Sequence, residues 1–580
     1  MFTEKPKLPA SRQPPVRDYP AQVRTGQPGA DPGDADTSTA AVTPAPGRRP
    51  GAGPPEPRPL LRLRLALPAA LAAGLLLAAA FAPLGCWPLA VLSPALLVTL
   101  LWKRSLRGSF AVGLVFGLGF FFLMLAWVIN VAWFAWVALA IASALLFAVL
   151  TVAQRLLLNV RCWPLAVAGW WVAAEAVRDR WPWGGFPWGR LAMSQAGLPT
   201  QGWAAIGGAP LLSLVVALAG AMLGWVLVTG LAGPRTGRRR RTVIAAAAFT
   251  ATAAASCLPA ALPLDPVPAG TRTAVIAAIQ GNVPRARSLQ AQLDSAAVTF
   301  NHVTATGKLA DRVAAGTAAK PDLVIWPENS TSIDPTLDPP LYQEISSAAS
   351  AVGGPILVGA VLENPLRNAG VLWLPGTGPS QVYVKRQLVP FGEYIPFRSL
   401  ISKVTSLTQL QPQDFTPGHQ TVVFKVGQIR LGDVICYEVA FDDLVQSEVA
   451  AGANLLSVQS NDATYERDGQ TGESGQQLAM ARIRAVEFDR AAVVASTTGY
   501  SAIIAPDGRV VTSSGTWQQA ELEARVPLLE TTTLAERAGA VPEWAIVAAT
   551  AAALGLAVIP AALRRRRAAG PASTEERGPR

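Results

Sequence analysis

The chain has 580 residues with 49 basic and 38 acidic side chains, a formal charge of +11, yet only 15% of it is charged and 51% is hydrophobic. With a mean hydropathy of +0.32, that balance excludes an ordinary soluble enzyme and assigns much of the chain to lipid.

In chain order, residues 1–58 are rich in Pro, Gly, Ala, Asp and Arg and poor in large apolar side chains, which predicts a disordered tail. It lacks an apolar segment with a small-residue cleavage site near its start, so it does not read as a removable signal peptide. From Leu60 to about Leu262 apolar segments alternate with short basic clusters. Each is long enough, or nearly so, to cross roughly 30 Å of hydrocarbon as a helix. The expected spans are 63–82, 87–102, 109–128, 131–154, 163–178, 207–230 and 242–262, with an eighth at 544–563 before Arg564 to Arg567.

Basic residues fall before span one (Arg62, Arg64), between two and three (Lys103, Arg104, Arg107), four and five (Arg155, Arg161), six and seven (Arg235, Arg238 to Arg241), and after span eight. Short cytoplasmic loops retain such residues, so all of them belong on the cytoplasmic face and the block 264–543 on the other. The positive charge is therefore a topology signal, and nucleic acid is not an expected partner. The Trp181-Pro182-Trp183-Gly184-Gly185-Phe186-Pro187-Trp188 loop fits both an interfacial aromatic belt and a lipid-contacting wall of an active site.

The extramembrane block changes period. Strand-like runs at 274–279, 323–326, 356–362, 383–389, 422–426, 431–436, 455–458 and 492–496 alternate with helical stretches at about 287–315, 340–351, 441–451 and 475–488, an α/β pattern. The four cysteines, Cys86, Cys162, Cys257 and Cys436, show no metal-ligand spacing or disulfide framework, and only Cys436 stands in a globular context. His302, in a polar helical stretch, and His419, in a Pro/Gly loop, are the two histidines, and neither has the setting of a catalytic base.

Three strand ends carry reactive groups: Trp326-Pro327-Glu328-Asn329, Tyr383-Val384-Lys385, and Gly432-Asp433-Val434-Ile435-Cys436-Tyr437-Glu438. A thiol at a strand-to-helix turn is expected near helix N–H dipoles that favour thiolate. Separately each residue has a bland reading as surface or core; together they supply a nucleophile, a cation and a base.

These segments, with Leu388-Val389-Pro390-Phe391-Gly392-Glu393-Tyr394, Ser460-Asn461-Asp462-Ala463 and Met480-Ala481-Arg482-Ile483-Arg484-Ala485, resemble the signature of the nitrilase superfamily in the form found in apolipoprotein N-acyltransferases. The resemblance covers about residues 60–565. It implies a polytopic α-helical membrane protein of about eight transmembrane helices with an extracytoplasmic α/β nitrilase-like αββα sandwich. The corresponding division is a cytoplasmic tail (1–58), seven helices (59–263), the catalytic domain (264–540), the eighth helix (541–567) and a second disordered cytoplasmic tail (568–580).

The resemblance further implies a Glu328, Lys385 and Cys436 triad in the cell membrane, supported by Glu393, Tyr437 and Glu438. The acyl donor would be a membrane phospholipid and the acceptor a diacylated lipoprotein, by ping-pong thioester transfer in a monomer without metal or organic cofactor. Departures from the family pattern are Gln477, where many members carry His, and Thr498-Gly499, where Asn-Gly is usual; neither is expected to touch the triad. Phe397, Leu400, Ile401, Val404 and Leu407 are expected to form a lid or lipid-facing arm. Competing readings are a tethered hydrolase that uses water as acceptor and a transporter with an inert external domain. The scarcity of charge within spans one to seven, Glu175 excepted, weighs against the transporter.

Overall fold

The computed structural model describes residues 59–232, 236–261, 267–284, 296–403, 412–467 and 469–568. The expected tails, the start of the helix expected from 287, and the lid positions Val404 and Leu407 lie outside these residues. Seven helices come first: α1 (Leu63–Ala78), α2 (Leu89–Leu101), α3 (Leu106–Met124), α4 (Trp133–Leu157), α5 (Trp163–Arg178), α6 (Trp203–Ala232) and α7 (Arg238–Ser256). Every expected span in this half thus carries a helix. Among the described residues, four helical segments are long and apolar enough to cross a bilayer: Leu106–Met124, Trp133–Leu157, Pro199–Ala232 and Val541–Ile559. α1 and α2 are apolar but only 16 and 13 residues long. At about 1.5 Å per residue they fall short of roughly 30 Å of hydrocarbon.

Small residues let these helices approach. A Cβ on Gly74 would lie 2.1 Å from the Phe116 carbonyl oxygen, and one on Gly119 would lie 2.5 Å from that of Leu71, so α1 and α3 pack backbone to backbone. α6 is broken at Gly207 and Gly208, whose φ of +72° is open to glycine but strained for other residues.

The α/β block follows: β1 (Thr273–Gln280), α8 (Ala296–Ala314), β2 (Leu323–Ile325), α9 (Pro339–Val352), β3 (Ile356–Leu362), β4 (Arg367–Leu374), β5 (Gly378–Val384), β6 (Val423–Val426), β7 (Ile429–Ile435), α10 (Asp442–Ala450), β8 (Leu455–Ser460), α11 (Gly472–Phe488), β9 (Ala491–Ser496), β10 (Ala502–Ile504), β11 (Val510–Ser513) and β12 (Ala520–Pro527). The final helix, α12, spans Val541–Ala568. Two six-stranded sheets form, in the orders β12-β1-β2-β3-β4-β5 and β11-β10-β9-β8-β7-β6.

Alternation along the strands builds the layers. Ile276, Ala278, Leu323, Ile325 and Leu357 of the first sheet meet Leu431, Ile435, Leu455, Val493 and Ala495 of the second in one buried cluster. Their neighbours Ala277, Ile279, Val324 and Val358 face α8 and α9 instead. The outer face of the second sheet (Val434, Leu456, Val458, Val494) packs on Val445, Met480 and Ile483 of α10 and α11, and this cluster continues without a break into the membrane helices. The αββα sandwich expected from the resemblance is present, with its α10/α11 layer against the helical bundle.

Candidate active site

Each reactive side chain sits just past the end of a strand. β2 runs into Trp326-Pro327-Glu328, which crosses over β3 at Gly359. A Cβ there would lie 2.1 Å from the Pro327 carbonyl oxygen, so the crossing requires glycine. β5 ends one residue before Lys385, whose N–H donates to the Asn368 carbonyl at 2.9 Å and so extends the β4–β5 pairing. β7 ends at Ile435, and Cys436 follows with φ +54°, an unusual conformation for a non-glycine residue, at the start of a single 3-10 turn, Cys436–Ala440.

The three ends converge. The Lys385 Nζ lies 2.9 Å from Glu328 Oε1 and 3.1 Å from Glu393 Oε1, with Lys385 only 1% exposed. The Asn368 Nδ2 donates to the same two oxygens, at 2.7 and 2.8 Å. The other Glu328 oxygen accepts from the Asn461 N–H at 3.0 Å, and that of Glu393 from the Val389 N–H at 2.8 Å. Burial alone would lower the Lys385 ammonium pKa, but Glu328 and Glu393 outweigh it and hold the pKa well above the ordinary lysine value, so this side chain stays cationic.

The Cys436 thiol is 5% exposed. Burial first, and the Glu328 charge second, push its pKa well above the ordinary thiol value, with Lys385 opposing. This corrects the expectation that helix dipoles favour thiolate. A 3-10 turn separates the sulfur from α10, which begins only at Asp442, and burial dominates. At rest the Cys436 side chain is a neutral thiol, which would need a base to act as a nucleophile.

Glu438 is fully buried and accepts four hydrogen bonds. Tyr383 Oη at 2.9 Å and the Ile435 N–H at 2.8 Å reach Oε2; the N–H groups of Arg386 at 2.6 Å and Gln387 at 3.0 Å reach Oε1. It ties the Cys436 turn to the end of β5, hence to Lys385. Asn368 had no signal in the sequence: it stands in an unremarked Arg-Asn-Ala-Gly run and meets Lys385 only through sheet register.

Gln477 requires a correction. Its Nε2 lies 3.6 Å from the Cys436 sulfur, a hydrogen bond at the longer range sulfur allows, so this departure from the family pattern does touch the reactive group. Thr498 does not contact it, while Gly499 abuts Asp462, where a Cβ would lie 1.9 Å from Oδ2. His302 is wholly buried under Trp326 with Nδ1 2.7 Å from the Val298 carbonyl, and burial lowers its pKa to about 4. It is a core residue, and His419 is exposed.

Sequence comparison brings in the relatives. The apolipoprotein N-acyltransferase N-terminal domain family matches residues 73–222, and the carbon-nitrogen hydrolase family matches residues 275–536. An apolipoprotein N-acyltransferase from Mycolicibacterium smegmatis is 37% identical over 526 residues, 87% of this chain and 88% of its own. The chain belongs to the apolipoprotein N-acyltransferase family. Another apolipoprotein N-acyltransferase, from Azotobacter vinelandii, is 31% identical over 79% of this chain and 88% of its own. Among solved structures, an amidase from Nesterenkonia sp. is 18% identical, with a TM-score of 0.33, over 46% of this chain and 94% of its own.

In this apolipoprotein N-acyltransferase family member, the membrane half closes one side of the site. Tyr437 Oη donates to the Gly185 carbonyl at 2.9 Å, and its ring stacks near Phe186 and Trp188. Trp181 and Trp183 of the same loop are 63% and 47% exposed, and Trp183 meets the half-exposed Phe391 edge-on. The loop therefore serves both as wall and as exposed aromatic surface. Phe397 and Leu400 of the expected lid are 68% and 62% exposed, Leu400 on a helical turn at Arg398–Ile401 and Phe397 just before it.

A buried ion cluster also joins the halves: Arg190 pairs with Asp442 at 2.7 Å and Asp179 at 3.4 Å, and Asp442 with Arg484 at 2.5 Å. Around Glu175 the membrane half thus carries more buried charge than expected, but at the domain junction. Among the described residues, no group of His, Cys, Asp and Glu is arranged to hold a metal ion.

Proposed function

We propose that this chain moves an acyl chain from a membrane phospholipid to the α-amino group of the N-terminal S-diacylglyceryl cysteine of a lipoprotein, through a thioester on Cys436. The observation that carries the reading is the Lys385 ammonium, paired with Glu328 and Glu393 beside a neutral buried thiol.

In the first half-reaction Glu328 takes the thiol proton as sulfur attacks the ester carbonyl. The tetrahedral oxyanion is met by Lys385 and by backbone N–H groups near Tyr437. The carbon–oxygen bond then breaks, and Glu328 returns the proton to the lysophospholipid hydroxyl. In the second, the acceptor ammonium loses a proton to Glu328, and the amine attacks the thioester. The amide forms as the thiolate leaves, the proton shed by the new amide nitrogen restores the thiol, and Glu328 releases the ammonium proton to water, which regenerates its carboxylate. Losing one oxyanion donor costs about 2.7–4 kcal/mol of transition-state stabilisation. Glu393 and Asn368 hold the Glu328–Lys385 pair in place; Tyr437 and Glu438 hold the turn of the nucleophile.

The placement of this site belongs to the same reading: eight spans, both termini in the cytoplasm, and the catalytic domain of residues 264–540 on the extracytoplasmic side. The distribution of Lys and Arg between the spans supports it, as do the exposed Trp181, Trp183, Phe391 and Phe397 beside the site, whose rings suit the headgroup layer.

The test is to incubate purified protein with phospholipid, trap the adduct on Cys436, and add a diacylated lipopeptide. Acyl transfer to its amine is expected. Release of free fatty acid in its place would make the chain a hydrolase, and no adduct on Cys436 would overturn the mechanism.

A further inference from the structure

α11 lies between the membrane half and the sandwich, and two successive glutamines on it reach different partners. Gln476, 5% exposed, has every hydrogen-bonding position of its amide filled from the membrane half. Its Nε2 donates to the carbonyls of Ala82 at 3.0 Å and Met124 at 3.2 Å, while its Oε1 accepts from the indole N–H groups of Trp127 at 3.2 Å and Trp188 at 2.6 Å. A flipped amide would set NH₂ against two indole donors and oxygen against two carbonyls, so four partners fix its orientation.

The backbone supports this contact. A Cβ on Gly475 would lie only 3.0 Å from that of Ala82. Farther along, Arg484 donates to the Val439 and Ala440 carbonyls, both at 3.0 Å, in the turn that begins at Cys436. Both ends of α11 are therefore held, and its rotation about its own axis is set. Neighbouring helix residues point about 100° apart, so a fixed Gln476 fixes Gln477.

Gln477, 1% exposed, donates Nε2 to the Cys436 sulfur at 3.6 Å. The largest charge effects on that sulfur come from Glu328, Lys385, Glu473 and Asp462, and the buried Tyr465 hydroxyl is coupled to it as well. Of the four, the three carboxylates disfavour a negative sulfur, so a neutral N–H donor acts on the side of Lys385.

We infer that Gln477 is a further catalytic residue, an amide donor that steadies negative charge on sulfur when the thiol is deprotonated for attack and when thiolate leaves the thioester, with Gln476 as the positioning residue that the membrane half holds. The inference rests on Cys436 being the nucleophile.

The test compares Gln477→Met, which keeps bulk without the donor, with Gln477→His, which restores one, in the full-length protein. Hydrogen bonds to charged groups set the scale at about tenfold in rate. Gln477→Met is expected to slow both thioester formation and transfer from the thioester by about that factor, and to slow alkylation of Cys436 by a small neutral reagent at fixed pH. Gln477→His is expected to stay within a few-fold of the unmodified chain. Gln476→Leu should slow the same alkylation although it does not touch sulfur. Two results overturn the role: Gln477→Met as fast as the unmodified chain, or Gln477→His falling as far as Gln477→Met. If Met at this position prevents folding, the His variant alone decides, because loss of rate in a folded His protein refutes the donor. Absence of any thioester in the unmodified chain would sink the acyl-transfer reading as well, which separates the two failures.

Discussion

Replacing Glu438 with Gln keeps its volume and removes one acceptor and a charge. Three of its four partners are backbone N–H groups and cannot turn; the Tyr383 hydroxyl can rotate to accept. The least costly arrangement leaves the carboxamide oxygen on Arg386 and Gln387 and the NH₂ against Tyr383, which strands the Ile435 N–H. An orphaned buried donor costs about 1–3 kcal/mol, and two bonds that lose charge assistance forfeit roughly half their strength, about 0.5–1 kcal/mol each. Burial pushes the Glu438 pKa up, ahead of the hydrogen bonds that oppose it, so relief of that charge offsets part of the loss. The net expectation is a destabilisation of about 2–3 kcal/mol. Because Glu438 sets the spacing between the Lys385 and Cys436 segments, thioester formation should slow by up to about a hundredfold, the scale of a misplacement near 1 Å. Denaturant unfolding in detergent and single-turnover acylation would measure the two effects, with Tyr383→Phe completing a double-mutant cycle. Gln at 438 with an unchanged unfolding midpoint and acylation rate would refute the reasoning, as would strict additivity with Tyr383→Phe.

Asn368→Ala removes the donor shared by Glu328 and Glu393, leaving Lys385 to hold both; thioester formation should fall about tenfold or more in single-turnover assays, while Asn368→Asp should fall further because it adds a third carboxylate. His302, buried and neutral, has a pKa lowered to about 4. Its contribution to stability is therefore complete above the unfolded value near 6.5 and is lost as pH falls toward 4, by about 3 kcal/mol in all. His302→Leu should flatten that part of the stability profile, and an unchanged acid slope would refute it. Phe397→Ala with Leu400→Ala should reduce acylation from phospholipid vesicles more than turnover of a soluble ester, and equal loss in both assays would exclude a lipid-facing arm.

The places of the candidate residues were legible because each closes a run that reads as a strand: Val324-Ile325-Trp326 before Glu328, Tyr383-Val384 before Lys385, and Val434-Ile435 before Cys436. In the first sheet β2 runs parallel to β3, and two antiparallel pairings return β5 to the same direction, so Glu328 and Lys385 follow strand ends on one side; Cys436 follows β7 of the second sheet, packed face to face with the first. The partners were less legible. Asn368 reaches Lys385 through the β4–β5 register, where Ala369 pairs with Val384. β4 itself escapes notice behind the Asn364-Pro365 turn, and β12 because its Glu521, Glu523 and Arg525 interrupt an apolar pattern. β5 begins earlier than expected, at Gly378. Gln477 could be found only as a departure from a pattern, and its contact depends on how α11 is rotated, which no local spacing records. The lengths of α1 and α2 show the opposite error: apolar composition extends past the helix ends into Ala79–Pro88, so the sequence overstates both.

The single apolar cluster that runs from the membrane helices through α10 and α11 to the second sheet makes the two halves one folding unit. Excising residues 264–540 as a water-soluble fragment would strip the solvent shield from Met480, Ile483 and Phe441 and cut every anchor of Gln476. Such a fragment should aggregate, and grafting the sandwich of one relative onto the bundle of another should succeed only when both sides of that seam travel together.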